Sequence, residues 1–439
     1  MSGHERGIVL SEWQTLDPTN CDALQGFFLD ESQATSTTIQ TLHDSRLIRL
    51  TELRHGLRVQ AFSHVGRLKV GNLSITVLPK LPGTSMLNLL RYAYGFRNLR
   101  LLSNSPQFME PCGFEDLLVA QLNVEAQELI SRGLRRSYVP RDERLSSPRG
   151  RIDVGRLARD GGLLTATLPC RHYPRIENTK LNQVLRAGLE LAGSMASGLM
   201  LRRESRRLAL LMEESVSSVQ LHAARLADAE RSLSRLTESY EPALSIIRLL
   251  FNSQGVTLED RSQADRLPGF LFDMNAFFQH LISRFLRENL PGYEVLDEQG
   301  LKQMMRYDPD YNPQRRPSPT PRPDYAVKQN GRVLTLLDAK YRDLWQRSLP
   351  REMLYQLVVY AISQPHRPIA SILYPTAERQ AKESRINIQD PVRGTKLGQV
   401  CLRPVNLQRI EELVSSDTRQ AKELRTCEAR RLAFGAAVA

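Results

Sequence analysis

No apolar run in this 439-residue chain approaches the about 20 residues that a membrane-spanning helix needs. The first residues show no charged-then-apolar leader pattern either, so a cytoplasmic location is expected. Cysteine is scarce. Cys21, Cys112, Cys170, Cys401 and Cys427 are odd in number and widely scattered, with no C-x-x-C pair, which argues against a disulfide framework and against a thiolate zinc site. The eight histidines also stand alone; His280, inside an apolar helical stretch, reads as a packed or partly exposed side chain rather than a ligand. No G-x-x-x-x-G-K-[ST] occurs, which argues against nucleotide binding through a P-loop of its own, and no internal repeat is evident.

What is present belongs to an ordinary globular protein: 41% apolar and 25% charged residues, with enough length for roughly two or three domains. The net charge of +12, from 60 basic and 48 acidic residues, favours a polyanionic partner, although many such cations simply solvate helix faces.

The patterning predicts an α+β, multidomain chain. Residues 1–105 read as an antiparallel β domain. Leu57–Phe62, Val65–Val70 and Leu73–Leu78 alternate or run apolar with Gly71-Asn72 as a turn, and a helix over Met86–Tyr94 stops at Gly95. Residues 106–258 are mainly helical, with apolar stripes over 114–134, 178–199, 203–211 and 241–251, an extended basic segment at 149–153 and a strand near 164–168. These stripes suit core packing. Residues 259–415 run helix (276–286), hairpin, helix (352–362, between Pro350 and Pro365) and buried strand (369–374), an order that fits a mixed sheet with helices on its faces. Residues 416–439 form a charged tail.

The hairpin carries the chemistry. Asp324-Tyr325-Ala326-Val327 and Val333 to Lys340 flank an Asn330-Gly331 turn signal. Asp338 and Lys340, two apart on a strand, share a face. A strict two-residue turn would set Asp324 opposite Leu337, on the wrong face, so a longer loop or a bulge must shift the register by one. Two carboxylates with the Ala339 carbonyl suit Mg²⁺, and an ammonium beside them suits phosphodiester cleavage. The same residues would also serve as a solvated hairpin edge. The preceding loop, 307–322, holds Arg315, Arg316 and Arg322, which could follow a DNA backbone or belong to an exposed linker. Gln356 and Tyr360, four apart, share a helix face.

Pro323-Asp324, Asp338-Ala339-Lys340 and Gln356-x-x-x-Tyr360 resemble the PD-(D/E)xK nuclease signature and its RecB-like Q-x-x-x-Y element. With Val65-Gly66, Ile75–Lys80, Leu89–Ala93, Arg149–Asp153, Asn178–Asn182 and Phe272–Asn275, their order resembles the McrC family, the nuclease subunit of the McrBC system. The resemblance implies a mixed α/β nuclease domain at 259–415, with Asp324, Asp338 and Ala339 holding Mg²⁺, Lys340 assisting the attacking water, and Gln356 and Tyr360 beside them. It implies an N-terminal part that contacts an AAA+ GTPase, McrB, which binds the GTP and reads modified cytosine in double-stranded DNA. Cutting both strands would be easiest with two nuclease domains, hence a homodimer. One departure stands out: Gln279 occupies a helix position where the family often has Glu, and an amide is a poorer Mg²⁺ ligand, although it could bind a coordinated water. Two further readings remain at this stage, a non-cutting adaptor that stimulates the GTPase and a stand-alone nuclease with a different partner.

Overall fold

The computed structural model describes residues 6–29, 39–40, 42–44, 46–80, 83–95, 114–160, 166–253, 269–364, 366 and 368–435. The chain forms two compact units, one joining Met1–Leu99 to Gly255–Ala439 and the other comprising Arg100–Gln254.

In the first unit, alternation along the N-terminal strands builds a β core. Leu57, Val59 and Ala61 point inward from Gly56–Ala61, as do Leu73, Ile75 and Val77 from Leu73–Leu78, and they meet Ile8, Leu10, Leu50, Leu68 and Leu271. One sheet orders Arg6–Ser11, Leu73–Leu78, His64–Val70 and Gly269–Asp273; another orders Thr15–Leu16, Gly56–Ala61 and Ile48–Leu53. The expectation of a purely antiparallel domain needs one amendment, since Arg6–Ser11 runs parallel to Leu73–Leu78.

The structure also ties together two regions that the sequence separates. Gly269–Asp273 pairs antiparallel with His64–Val70, and the helices Gly83–Tyr94 and Met274–Asn289 pack on each other, with Tyr92 donating to Glu288 at 2.7 Å. The boundaries drawn at 105/106 and 258/259 fall outside the described residues, as do most of the polar stretches 32–40 and 257–264.

The Met274–Asn289 helix begins where Asp273 accepts from the Asn275 N–H, and it buries Phe277, Phe278, Leu281, Ile282, Phe285 and Leu286. His280 lies exposed, stacked on Tyr94. A six-stranded mixed sheet follows, ordered Glu294–Asp297, Tyr325–Gln329, Arg332–Ala339, Ile369–Thr376, Lys396–Asn406 and Ser384–Gln389, with parallel pairing among the central three. The helix Arg351–Ile362 covers one face, packing Leu357, Tyr360 and Ala361 on Ala326, Leu336, Ala370 and Ile372. Tyr325 points to the other face, where its hydroxyl donates to the Gln279 carbonyl at 2.7 Å. Most of the tail is the helix Arg419–Phe434, fastened by Arg403 donating to the Leu432 and Ala433 carbonyls.

The second unit is mainly helical. It comprises Phe114–Ser131, Lys180–Met195, Leu199–Leu211, Ala223–Arg231 and Glu241–Asn252, with short strands between the first two. Of the strand expected near 164–168, residues 164–165 lie outside the described residues and only Leu168 belongs to a strand, Leu168–His172, while Asp153 caps the helix Val154–Arg159.

Candidate active site

The hairpin solves its register problem with a bulge rather than a longer loop. Asn330 (φ 50°) and Gly331 (φ 76°) form a two-residue turn, and Gln329 pairs with Arg332. Val327 then pairs with Thr335 and Lys328 with Val333, which leaves Leu334 as the extra residue. From there Tyr325 pairs with Leu337, so Asp324 arrives at the position opposite Asp338. Both carboxylates thus stand on the face covered by the Arg351–Ile362 helix.

Asp324 and Asp338 converge with Lys340. The Lys340 Nζ lies 3.2 Å from Asp324 Oδ2 and 3.0 Å from Asp338 Oδ2, and the Ala339 N–H donates to Asp324 Oδ2 at 2.7 Å. Asp338 is 1% exposed, and its Oδ1 has no hydrogen-bond partner. Burial, then the neighbouring Asp324 charge, push its carboxyl up to about 7 against the pull of Lys340. Burial alone would lower Lys340, but the two carboxylates outweigh it and raise its pKa. Lys340 therefore stays an ammonium at neutral pH and acts as a donor.

A buried carboxylate oxygen with no donor, a second carboxylate on the same face and an excess of negative charge are what a hard divalent cation satisfies. The donor set fits Mg²⁺ with Asp324, Asp338 and the Ala339 carbonyl as the protein oxygens. Among the described residues no group of three His, Cys, Asp or Glu side chains gathers, so no third carboxylate joins the pair. Gln279 is held on the opposite face of the sheet from the two carboxylates, where its backbone carbonyl accepts from the Tyr325 hydroxyl.

Tyr360 and Gln356 meet at 2.6 Å, and the Tyr360 hydroxyl donates to the Arg322 carbonyl at 2.8 Å. Tyr360 thereby anchors the Arg322-Pro323-Asp324 segment. Tyr360→Phe removes both bonds and is expected to destabilise by about 1–2 kcal/mol. On the nuclease activity that the sequence resemblance implies, cleavage should fall about tenfold or more through a displaced Asp324, about 1.4 kcal/mol of barrier. Equal loss in exposed Gln356→Ala would argue against the anchor. Arg315, Arg316 and Arg322 are exposed, and the 312–316 turn is held by Asn312 bonding both the N–H and the carbonyl of Arg316.

The residues that set the end of the strand carrying Asp338 have no signal in the sequence. Tyr341, next to Lys340, donates its N–H to Asn275 Oδ1 at 3.2 Å and its hydroxyl to Glu12 at 3.3 Å. Asn275 in turn donates to Ser63 at 2.6 Å. Burial pushes the Glu12 carboxyl up to about 7. These partners lie 66 to 329 residues apart and share no motif; the pairing of Gly269–Asp273 with His64–Val70 sets Asn275 beside Ser63.

The family model described as "McrBC 5-methylcytosine restriction system component" matches residues 59–375. Among solved structures, the chain is similar to one in a refined half-complex from a tetradecameric assembly of Thermococcus gammatolerans McrB AAA+ hexamers with bound McrC. That match has a TM-score of 0.61 at 20% identity and covers 96% of this chain and 99% of that one. A cryo-EM structure of the Thermococcus gammatolerans McrBC complex gives a TM-score of 0.47 at 20% identity, over 64% of this chain and 88% of that one. No curated protein matches. With the profile spanning most of its length, the chain belongs to the family of McrBC 5-methylcytosine restriction system components.

Proposed function

We propose that this chain is the McrC-type subunit of its restriction system, a Mg²⁺-dependent endonuclease with a PD-(D/E)xK site. The convergence of Asp324, Asp338 and Lys340, with the Asp338 Oδ1 left unpartnered in the interior, carries this reading. Mg²⁺ held by Asp324, Asp338 and the Ala339 carbonyl would polarise the scissile phosphate and lower the pKa of a water. Asp324 and Asp338 would serve as oxygen donors to the cation and would stay ionised beside it. Lys340, freed from its role between two carboxylates, donates from Nζ to the attacking water or to the charge that grows on the phosphate oxygens. Tyr360 keeps Asp324 in place, and the exposed Arg315, Arg316 and Arg322 of the preceding loop would follow a DNA backbone.

The absence of a Walker A sequence supports a division of labour, in which a McrB-like AAA+ partner hydrolyses GTP and recognises double-stranded DNA carrying modified cytosine. Two copies of the nuclease domain would serve the two strands, in the cytoplasm. A second reading, a silent adaptor that only activates the partner's GTPase, draws on one observation: no third carboxylate stands beside the pair among the described residues.

The test is cleavage of methylated plasmid by the chain with its AAA+ partner, GTP and Mg²⁺, with GTP hydrolysis followed in parallel. Wild type should cut, while Asp338→Ala and Lys340→Ala should not, and all three should stimulate GTP hydrolysis. Failure of wild type to cut while it still stimulates hydrolysis would leave the adaptor.

A further inference from the structure

Two residues beyond Lys340, the chain presents a cluster that the catalytic site does not use. Trp13, just past the Arg6–Ser11 strand, has φ 63°, a left-handed conformation that strains a bulky residue. Its N–H donates to the Phe62 carbonyl at 3.2 Å, and its ring meets the Phe62 ring edge-on at 6.0 Å. The indole carries two guanidinium groups, Arg342 at 5.8 Å and Arg347 at 5.6 Å from its centroid, and Arg347 also donates to the Trp13 carbonyl at 3.0 Å. Phe62 carries a third, Arg49, at 5.5 Å. Three cations and two rings thus form one ladder.

Many arginines among the described residues are held by carboxylates, as Arg284 is by Glu288 and Arg403 by Glu383. The ladder differs. Among the described residues, no carboxylate forms an ion pair with Arg49, Arg342 or Arg347. The Arg342 Nε is buried with no hydrogen-bond partner. Burial, and next the charge of Arg347, hold the Arg342 guanidinium below its usual range. Like charges gathered on aromatic faces without a counter-charge are stabilised by an incoming anion. Arg342 lies within about 7 Å along the backbone of Lys340, the reach of two extended residues, so that anion would lie beside the scissile phosphate.

We propose that Arg342, Arg347 and Arg49, mounted on Trp13 and Phe62, form a phosphate-binding platform for the DNA backbone flanking the cleaved bond. The proposal rests on the nuclease reading and assigns the N-terminal β sheets a part in gripping the substrate. Guanidinium forks held by rings suit phosphate oxygens at several positions along a strand, without regard to base sequence.

The experiment uses the full chain carrying Asp338→Asn, so that DNA is bound and not cut, with a fluorescent duplex titrated by anisotropy at several salt concentrations. Arg342→Gln/Arg347→Gln should lower the slope of log Kd against log salt by about 1–2, since each phosphate contact contributes about 0.9. Arg49→Gln should lower it by a further step of up to about 1, and Arg332→Gln, on the hairpin tip, should leave it unchanged. Thermal melts identify any variant that loses fold; if the double variant does, exposed Arg347→Gln alone is read.

Equal slopes for all variants, or no binding by the parent, overturn the platform. So does unchanged DNA binding with lost GTPase stimulation, which would assign the cluster to a protein contact. Wild-type cleavage is measured separately: cutting with equal slopes keeps the nuclease and sinks the platform, while altered slopes without cutting do the reverse.

Discussion

Asp338→Asn is expected to lower metal-dependent cleavage by at least about 1,000-fold, or about 4 kcal/mol of barrier, while raising the stability of the metal-free protein at pH 8. Both effects come from the same atoms. An amide at this position loses a charged oxygen donor to the cation. It also resembles the protonated carboxyl that burial and Asp324 favour in the folded protein. Because the folded-state value is raised from 3.8 to about 7, the folded protein binds that proton more tightly than the unfolded chain. The stability this supplies is full below pH 4 and is lost as pH rises through about 7. At pH 8 the wild type therefore carries a deficit of about 2–4 kcal/mol that the amide variant does not have, and at pH 4 the two should melt together. Glu12, also pushed up to about 7, adds a pH slope of the same sign to both proteins and cancels in the difference. Mg²⁺ should raise the melting temperature of wild type at pH 8 and leave the variant unmoved. Melting curves at pH 4 and 8, with and without Mg²⁺, decide it; a constant difference across pH would show that Asp338 carries no such burden.

How much of this site the sequence discloses depends on how far each part reaches. Asp338 and Lys340 are two apart on one strand, and Gln356 and Tyr360 four apart on one helix, so local periodicity alone fixes their shared faces. Asp324 needed one more fact. The Asn330-Gly331 signal gives the turn, but it cannot say that Leu334 bulges, because that choice is made by packing: Leu336 and Ala326 must both reach the core under the Arg351–Ile362 helix. The helices of 114–252 show in their apolar spacing for the same local reason. What stays hidden is long-range pairing. Nothing near Gly269–Asp273 tells that it completes a sheet begun at Arg6, or that Glu12 and Asn275 would meet at Tyr341. The Trp13–Arg342 stacking is hidden too, since each residue has an ordinary neighbourhood in the sequence.

That long-range pairing can be tested at one glycine. In Gly66→Ala the new Cβ would sit 2.1 Å from the Phe270 carbonyl oxygen and 2.9 Å from its ring, with φ at 134°, where an alanine is strained in any surroundings. Backbone cannot yield there without parting Gly269–Asp273 from His64–Val70, where Leu271 pairs with Gly66. The expected loss is about 3–5 kcal/mol, the range of severe overpacking combined with backbone strain. Gly71→Ala is the matched control: φ is 57°, nothing lies within 4 Å of its Cβ, and about 1 kcal/mol is expected. Urea unfolding of the two variants separates close approach from turn strain. The loss at Gly66 should also reach the active site, because the seam sets Ser63 and Asn275 and through them the backbone after Lys340. Cleavage by the folded fraction of Gly66→Ala should fall, and that of Gly71→Ala should not. If both glycines prove equally tolerant, the pairing of Gly269–Asp273 with His64–Val70 does not couple the N-terminal sheet to the six-stranded sheet, and the first and third regions behave as separate domains.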